Sequence, residues 1–466
     1  MRGLKCAVIA LCATLASSPS RAQSTTSARA TETATADSAT AAAVRREFVH
    51  AWSGYKRYAW GHDELLPLSK SYHDWYGHSL LMTPVDALDT MILMGLADDA
   101  REARELIDTT LSFDQDIYVK NFEITIRLVG GLLSGYQLSG DKRLLQLAED
   151  LGTRLLPAFN SPTGMPYVEV NLKTGKVRNP HTNPAEVGTL LLEFGTLSRL
   201  TGNPVYYDKA KRAVVALYAR RSPLGLVGSA INVETGVWSD STSHIGGGID
   251  SYYEYLLKAW LLFGDQDCKR MWEASARAVN ERLSENVSGS FWYGQANMYS
   301  GARLSHHFEA LAAFFPGTLA LSGDLGRARK LQTSTFKMWT TFGVEPEMID
   351  YRSMTIVDDG YELRPEIIES AYYLHHFTGD ERYREMGRTF LRDLVACCRT
   401  DVGYAALSGV RTHTQRDAME SYFFAETLKY LYLLFAAPGT VDLRDHVFNT
   451  EAHPLAKSSR SPSTRR

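Results

Sequence analysis

The chain has 466 residues, of which 44% are hydrophobic and 22% charged, and its formal net charge is −3. This balance is typical of a soluble globular protein. It creates no overall positive field, so we expect no nucleic-acid partner.

The first 22 residues have the features of a signal peptide. Arg2 and Lys5 give a positive start, and the apolar run CAVIALCATLA that follows is too short to cross a bilayer. Small residues at Ser20 and Ala22 suit cleavage after Ala22. We therefore predict an exported protein, secreted or periplasmic, without a membrane span. A merely disordered N-terminus is the alternative.

Residues 23–43 contain almost no large apolar side chain, which predicts a disordered linker before a single domain at 44–455. The mature chain would keep Cys268 and the adjacent Cys397 and Cys398. Neighbouring cysteines rarely satisfy disulfide geometry, so we predict no disulfide framework.

One junction recurs along the domain: an apolar helical run, a glycine turn and a second helix, as in QLSGDKRLLQLA and RLTGNPVYYDKA. Glycine suits the left-handed residue that ends a helix. The turn glycines are Gly95, Gly140, Gly202, Gly264, Gly323, Gly379 and, in the degenerate copy LFAAPGTVDLRD, Gly439. Such turns occur in any all-α protein, but near-regular copies predict a closed (α/α)7 barrel of seven hairpins.

An acid stands near the start of the first helix of every unit. These acids are Asp86, Glu123, Glu186, Asp250, Glu309, Glu366 with Glu369, and Glu420 with Glu426 further along. Each one alone could simply complement the helix dipole. In a ring of parallel inner helices, however, all would converge on one mouth, where crowded carboxylates separate into an acid and a base.

Aromatic residues accompany these acids, and acids mixed with aromatic rings suit carbohydrate binding and glycoside hydrolysis. They are Tyr252, Tyr253, Phe308, Phe314, Phe315, Tyr372, Tyr373, Tyr422 and Phe423. We expect at least half of them to serve the core instead.

The segment FNTEAHPL, residues 448–455, follows the last hairpin and precedes a basic tail at 456–466 that we predict to be disordered. Its position predicts a C-terminal β-hairpin or loop that turns back and plugs the barrel. Within it, Glu451 and His453 are expected to be structural rather than catalytic.

Residues 48–455 resemble glycoside hydrolase family 47, the class I α-mannosidases, and a bacterial member is expected. The resemblance rests on motifs that occur in order, among them YAWGHDELLPLSKSYHDWYG, FEITIRLVGGLLSGYQLSGD, DSYYEYLLKAWLL, LRPEIIES and FNTEAHPL. It implies the same sevenfold barrel and a calcium-dependent, inverting, exo-acting hydrolysis of terminal α-1,2-linked mannose from oligosaccharides or N-glycans.

The resemblance also implies residue roles. Glu123 matches the general acid, Glu366 the general base, and Asp250 the third essential carboxylate. Positions that line the sugar pocket match Arg127, Glu186, Arg364, Glu369, Tyr422 and Glu426. Calcium would be held by Thr450 through its carbonyl and hydroxyl oxygens, with waters and sugar hydroxyls completing the shell. Inversion implies carboxyl groups about 6.5–9.5 Å apart.

Three positions depart from eukaryotic members: Gly248, Ala310 and Ala313. They leave the branch preference open, and Gly248 suggests an open cleft. The expected partners are α-1,2-mannosides or mannose-rich glycans, and the expected state is a monomer. The alternative function is a catalytically weak mannose-binding protein of the same fold, which recognises glycans. A glucoamylase-like toroid is a more distant alternative, because it would lack FNTEAHPL.

Overall fold

Two kinds of helix alternate along the chain in the computed structural model, which describes residues 22–457. Side chains are described from Asp37 onward, so residues 1–21 of the predicted signal peptide and 458–466 of the predicted tail lie outside the described residues. Helices of the first kind are buried around almost their whole circumference, as in Asp250–Phe263, where residues 251–259 are all buried. Helices of the second kind bury only one stripe, as in Gln266–Arg282.

The fully buried helices form an inner ring. They are α2 (Met82–Leu93), α4 (Asn121–Ile124) continued through a π-helical turn (Thr125–Val129) into α5 (Gly130–Ser139), α7 (Pro184–Gly188) with α8 (Leu191–Thr201), α10 (Asp250–Phe263), a 3-10 turn (Ala310–Phe314) with α12 (Phe315–Ser322), α14 (Glu366–Thr378), and a π-helical turn (Phe423–Thr427) with α16 (Leu428–Phe435). Each inner helix contacts the next, and the Phe423–Thr427 turn contacts α2, so the ring closes.

The one-sided helices pack outside this ring. They are α1 (Ala22–Tyr58), α3 (Ala97–Thr110), α6 (Lys142–Leu155) with a 3-10 turn (Leu156–Phe159), α9 (Val205–Tyr218), α11 (Gln266–Arg282), α13 (Leu325–Phe342) and α15 (Arg382–Cys397). Together the two rings form the predicted (α/α)7 barrel. Among the described residues, no helix is both long and apolar enough to cross a membrane.

The predicted glycine turns end the inner helices. Gly140, Gly202, Gly264, Gly323 and Gly379 each close an inner helix in the left-handed conformation, with φ between 63° and 94°. A side chain would be strained at these backbone angles, which explains the glycine.

The seventh unit differs from the prediction. Gly439 has a positive φ, but no helix follows it before residue 457, so the outer partner of α16 has to come from elsewhere. That partner is α1, which packs against α16. Phe48 and Trp52 of α1 place their rings 5.1 and 5.7 Å from the ring of Phe424, just before α16. The first and last segments of the barrel therefore complete one hairpin.

This use of α1 also changes the predicted domain boundary. The structure places residues 23–43 in α1, where the sequence predicted a disordered linker. Asp37 is 7% exposed and its carboxylate pairs with Arg384 and Arg388 of α15. The domain thus extends at least seven residues before the predicted start at residue 44, because a segment poor in large apolar residues can still pair a charged side chain with the domain.

Short antiparallel strands connect each outer helix to the next inner one, at the end of the barrel where the inner helices begin. The two-stranded sheets are β1 (Glu64–Leu66) with β2 (Ser71–His73), β10 (Ser284–Val287) with β11 (Ser290–Tyr293), and β17 (Ala406–Gly409) with β18 (Thr414–Arg416). The three-stranded sheets are β3 (Tyr118–Lys120), β4 (Glu169–Asn171) and β5 (Val177–Arg178); β6 (His181–Thr182), β7 (Ala230–Asn232) and β8 (Trp238–Asp240); β9 (Thr242–Ser243), β12 (Gln295–Asn297) and β13 (Arg303–Ser305); and β14 (His307–Glu309), β15 (Met348–Asp350) and β16 (Thr355–Asp358).

A last hairpin, β19 (His446–Phe448) and β20 (Pro454–Ala456), approaches from the opposite end. Its strand β20 lies against α5, where the Ala456 amide donates to Gln137 Oε1 at 3.0 Å. Ala456 and Lys457 therefore belong to the ordered domain, although the sequence assigned them to the tail.

Candidate active site

A cavity of about 300 Å³ opens among the starts of the inner helices. Its lining includes all ten residues that the sequence singled out: Glu123, Arg127, Glu186, Asp250, Arg364, Glu366, Glu369, Tyr422, Glu426 and Thr450. These residues span more than 300 positions of the chain, and the barrel brings them together.

The cavity is strongly acidic. Glu254 and Glu451 also line it, so the lining includes eight carboxyl groups but only two guanidinium groups, those of Arg127 and Arg364. Crowded carboxylates in a site shielded from water raise one another's pKa or attract a cation.

Four of the helix-start acids supply this lining as predicted: Glu123, Glu186, Asp250 and Glu366. The local sequence explains one of these starts in detail. The side chain of Asn183 caps α7 by accepting from the Glu186 amide at 2.9 Å, and Pro184 is the first helical residue.

The other three helix-start acids do not line the cavity. Asp86 is fully buried and its carboxylate lies 3.2 Å from His453 Nε2. Glu309 accepts a hydrogen bond from the Gly247 amide at 2.8 Å. Glu420 interacts with the buried Glu64, whose pKa is raised well above its usual value by burial first and then by Glu420. Helix-start position alone therefore does not distinguish lining acids from those that hold the surrounding loops.

Arg127 contacts both Glu123 and Glu451, and so links the start of α4 to the C-terminal segment. It lies in the π-helical turn that follows α4, with its Nη2 atom 3.1 Å from Glu123 Oε2. Its Nη1 atom donates to Glu451, and its guanidinium stands 5.6 Å from the Tyr422 ring centroid. Glu123 and Arg127 thus form a partly buried pair that lines the cavity.

Arg364 also lines the cavity, two residues before Glu366. Its Nε and Nη2 atoms donate to the two carboxylate oxygens of Glu347, at 3.1 and 3.0 Å. This bidentate contact fixes the plane of the guanidinium at the cavity wall.

Asp250 and Glu366 are carboxyl groups with strongly altered acidity. Burial raises the pKa of Asp250 to about 7, against the hydrogen bonds from the amide and hydroxyl of Ser251. Burial also raises the pKa of Glu366 to about 8, while Arg364 opposes the increase. Glu366 Oε2 is buried without a hydrogen-bond partner among the described residues. A buried acceptor of this kind is suited to a proton or a water supplied with the substrate.

Glu369 and Glu426 lie one turn deeper. Burial raises the pKa of Glu369 to about 8, against the charge of Lys258, whose Nζ lies 3.8 Å away. The same lysine pairs with Glu254. Burial, and then Glu451, raise the pKa of Glu426 well above its usual value.

Two of the nine candidate aromatics line the cavity, Phe314 and Tyr422. The hydroxyl of Tyr422 donates to the Glu362 carbonyl at 2.5 Å, which fixes the ring. The other seven are buried in the core, in agreement with the expectation that most serve packing.

Thr450 lines the cavity from the turn between β19 and β20. Its amide donates to the Tyr255 hydroxyl at 3.3 Å. Within residues 22–457, no three His, Cys, Asp or Glu side chains group as a conventional metal site. The groups here that could hold a cation are the Thr450 oxygens, with the lining carboxyl groups around them.

Several lining residues were missed or assigned differently. Glu254 lies one helical turn after Asp250, and that spacing on one helix face was a usable signal. Glu451 was assigned a structural role, but it both lines the cavity and pairs with Arg127. Gly247 and Asn183 also line the cavity, and no sequence pattern marked them as lining residues.

The three departing positions occupy different places. Gly248 lines the cavity with φ at +85°, whereas Ala310 and Ala313 are buried beside it. The described cysteines, Cys268, Cys397 and Cys398, are all free.

Comparison with known proteins assigns the family. Residues 47–457 match the sequence model of Glycosyl hydrolase family 47. The chain belongs to this family. It is a glycoside hydrolase built on the sevenfold α/α barrel.

The chain is also similar to individual α-mannosidase sequences and to a solved structure. The chain is 41% identical over 433 residues to Alpha-mannosidase I MNS4 of Arabidopsis thaliana, covering 88% of this chain and 69% of that protein. It is 37% identical over 447 residues to ER degradation-enhancing alpha-mannosidase-like protein 2 of Mus musculus, covering 88% and 77%. The solved alpha-1,2-mannosidase from Trichoderma reesei superposes with a TM-score of 0.83 at 30% identity, covering 90% of this chain and 99% of the other.

Proposed function

We propose that this glycoside hydrolase is a calcium-dependent, inverting, exo-acting α-1,2-mannosidase that removes terminal mannose from oligosaccharides or N-glycans. The observation that carries the proposal is the convergence of all ten predicted residues on one acidic cavity. The named activity of the Trichoderma reesei structure supports the linkage.

The lining of the cavity supports a catalytic role for each of several residues. Glu123, held by Arg127 at 3.1 Å, is proposed as the general acid for the leaving oxygen. Glu366 is proposed as the base that activates water, since its buried Oε2 has no partner among the described residues. Asp250 is the third carboxylate, close to the reacting sugar. Tyr422 and Phe314 supply ring faces for that sugar.

We propose Thr450 as the calcium ligand, through its carbonyl and hydroxyl oxygens. The eight lining carboxyl groups against two guanidinium groups fit a site that needs a cation, and calcium accepts hard oxygen ligands, including waters. When bound, calcium would supply a Lewis acid that orients sugar hydroxyls and balances the carboxylates. The nearby acids would then act on its bound waters rather than on the ion itself.

The C-terminal turn supports exo action. Thr450 and Glu451 line the cavity, and Asn449, Ala452 and His453 of the same turn are fully buried. We propose that this turn plugs the barrel, so the cavity accepts only the end of a glycan.

The deciding experiment compares α-1,2-mannobiose with its α-1,3 and α-1,6 isomers and follows the first product by NMR. We expect cleavage of the α-1,2 isomer alone and release of β-mannose. Release of α-mannose would contradict inversion, and preferred cleavage of another isomer would contradict the linkage. Chelator should abolish turnover and calcium should restore it.

The alternative is a catalytically weak glycan-recognition protein, which the similarity to ER degradation-enhancing alpha-mannosidase-like protein 2 favours. Binding of mannose-rich glycans without turnover in calcium would support it.

We further propose that the protein is exported, because residues 1–22 have signal-peptide features. We also propose that it is a monomer. Size-exclusion chromatography tests the monomer, and N-terminal sequencing after expression tests cleavage after Ala22.

A further inference from the structure

A buried carboxylate outside the cavity reaches the residues on both sides of one peptide bond. Glu193 of α8 is fully buried and does not line the cavity. Its Oε1 atom accepts from the Tyr255 hydroxyl at 2.5 Å and from Asn449 Nδ2 at 2.8 Å. The Tyr255 hydroxyl in turn accepts from the Thr450 amide at 3.3 Å. One carboxylate oxygen thus orients Asn449 directly and Thr450 through Tyr255.

The Asn449 side chain, held by Glu193, also binds other residues of the turn. Its Nδ2 also donates to the Ile126 carbonyl at 2.9 Å, and its Oδ1 accepts from the amides of Glu451 and His453, at 3.0 and 2.7 Å. A Cβ atom on Gly130 would lie 2.6 Å from Asn449 Nδ2, so the inner helix leaves no room for this side chain to move that way. Asn449 therefore ties the turn both to Glu193 and to the inner helix.

We infer that Glu193 and Tyr255 are positioning residues that fix the Thr450 backbone and hence its calcium-binding oxygens; this inference rests on the calcium site of the proposed function. Glu193 holds the Asn449 side chain directly and the Thr450 amide through Tyr255. The Thr450 carbonyl belongs to the next peptide, whose amide, that of Glu451, donates to Asn449 Oδ1 at 3.0 Å. A ligand that binds through its own carbonyl depends on the direction of that peptide, because a rotated peptide points the carbonyl elsewhere.

A purely structural role explains Glu193 less well. Its Oε2 atom is buried without a hydrogen-bond partner among the described residues. A half-satisfied buried carboxylate costs stability, so packing alone does not account for it. Groups behind a metal ligand commonly change metal affinity 10- to 100-fold, which gives such a carboxylate a use.

The test compares two tyrosine variants on the same helix. Tyr255→Phe removes the hydroxyl that joins Glu193 to Thr450. Tyr252→Phe is the matched control, since Tyr252 is equally buried and its hydroxyl has no hydrogen-bond partner among the described residues. Calcium affinity of the metal-stripped full chain is measured by isothermal titration calorimetry, and kcat is measured at saturating calcium.

We expect Tyr255→Phe to bind calcium roughly 10- to 100-fold more weakly. Its kcat at saturating calcium should return close to the wild-type value, because the ion then restores the turn. Tyr252→Phe should match the wild type. Glu193→Gln, which keeps one acceptor oxygen, should lose less affinity than Glu193→Leu, and it replaces Tyr255→Phe if that variant does not fold.

The outcomes separate this inference from the proposed function. If the wild type binds calcium and Tyr255→Phe binds it equally well, only the positioning role is overturned. Equal losses in both tyrosine variants would also overturn it, since general packing would then be the cause. A wild type that is fully active without binding calcium would overturn both the positioning role and the calcium site.

Discussion

Arg364 and Glu347 form a two-pronged ion pair, with Arg364 Nε and Nη2 each within 3.1 Å of a carboxylate oxygen of Glu347. Arg364 lines the cavity, and its charge opposes the raised pKa of Glu366 two residues later. The pair therefore sets both the position and the charge of the wall beside the proposed base.

Arg364→Lys should lower kcat/KM at least tenfold while the protein stays folded. A lysine ammonium cannot form the two parallel contacts to Glu347, so it would not hold the same position at the wall. Steady-state kinetics on α-1,2-mannobiose measure the loss. Arg382→Lys, at an exposed pair with Asp380, is the control and should leave kinetics unchanged. Equal kinetics in both variants would contradict a role for the bidentate contact between Arg364 and Glu347.

Glu366→Gln should reduce kcat by roughly 10²–10⁴-fold and leave sugar binding within a few-fold of wild type. Glutamine keeps the shape of the side chain but cannot take a proton from water. Single-turnover kinetics and calorimetric titration with the substrate measure the two effects. Undiminished turnover would refute the base assignment, and lost binding would point to a role in holding the sugar.

The metal-free protein should lose stability between about pH 5 and about pH 8. Burial raises the pKa of Asp250 to about 7 and those of Glu366 and Glu369 to about 8 in the folded state. Carboxyl groups whose folded pKa exceeds the unfolded value stabilise the fold at low pH, and this contribution is lost as pH rises towards the folded pKa. Calcium favours the charged carboxylates, so its stabilising effect should grow across the same range.

Thermal unfolding in chelator and in excess calcium measures this dependence. The increase in unfolding midpoint on adding calcium should be larger near pH 8 than near pH 5. An increase that is the same at both values would show that these carboxylates do not sense the ion.

The sequence predicted most of the barrel because its signals are local. Each glycine such as Gly264 ends a helix by its own backbone preference, and Asn183 and Pro184 start one by capping. The closing partner of α16 was not predictable in this way. It depends on Phe48 and Trp52 meeting Phe424, a contact between opposite ends of the chain that leaves no local pattern.

The same distinction applies to the site. Glu123, Asp250 and Glu366 were singled out by their place in a repeated pattern and by the family resemblance. Asp86 and Glu309 share the pattern but bind His453 and the Gly247 amide instead. Which acid faces the cavity depends on loop packing, and loop packing is set by tertiary contacts.

The earlier start of the domain predicts different outcomes for two shortened chains. A chain that starts at residue 37 keeps the contacts of Asp37 with Arg384 and Arg388, whereas one that starts at residue 44 loses them. We expect the shorter chain to unfold about 2 °C lower, from a loss of about 1 kcal/mol. Asp37→Asn in the longer chain is the control and should reproduce most of the loss. Equal midpoints would show that residues 37–43 do not stabilise the domain.

Glu345 is a buried carboxyl group behind the site for which the described residues provide no hydrogen bond. It is fully buried, and both of its oxygens are without partners in that part of the chain. Burial, then the charges of Glu366 and Glu347, raise its pKa well above the usual value. Glu345 is therefore held in its neutral form, and ionising it costs free energy.

Glu345→Gln should stabilise the protein in a pH-dependent way. Because the folded pKa is raised, wild-type Glu345 disfavours the fold progressively as pH rises above about 4.5, and the glutamine variant does not titrate. We expect equal stability near pH 4.5 and a gain of about 1–3 kcal/mol near pH 8. Denaturant unfolding at the two pH values measures the difference. A gain that is independent of pH would mean that packing, rather than charge, is responsible.

The same variant should leave the charge at the proposed base unchanged. Glu345 is neutral in the folded protein, so replacing its carboxyl by an amide removes no charge beside Glu366. The acidic limb of the kcat/KM profile should then coincide with that of the wild type. Glu347→Gln is the contrasting variant. It breaks the bidentate contact with Arg364 and should lower both the stability of the protein and kcat/KM. A Glu345→Gln profile whose acidic limb shifts to lower pH would show that Glu345 is ionised in the active range and that its charge acts on Glu366.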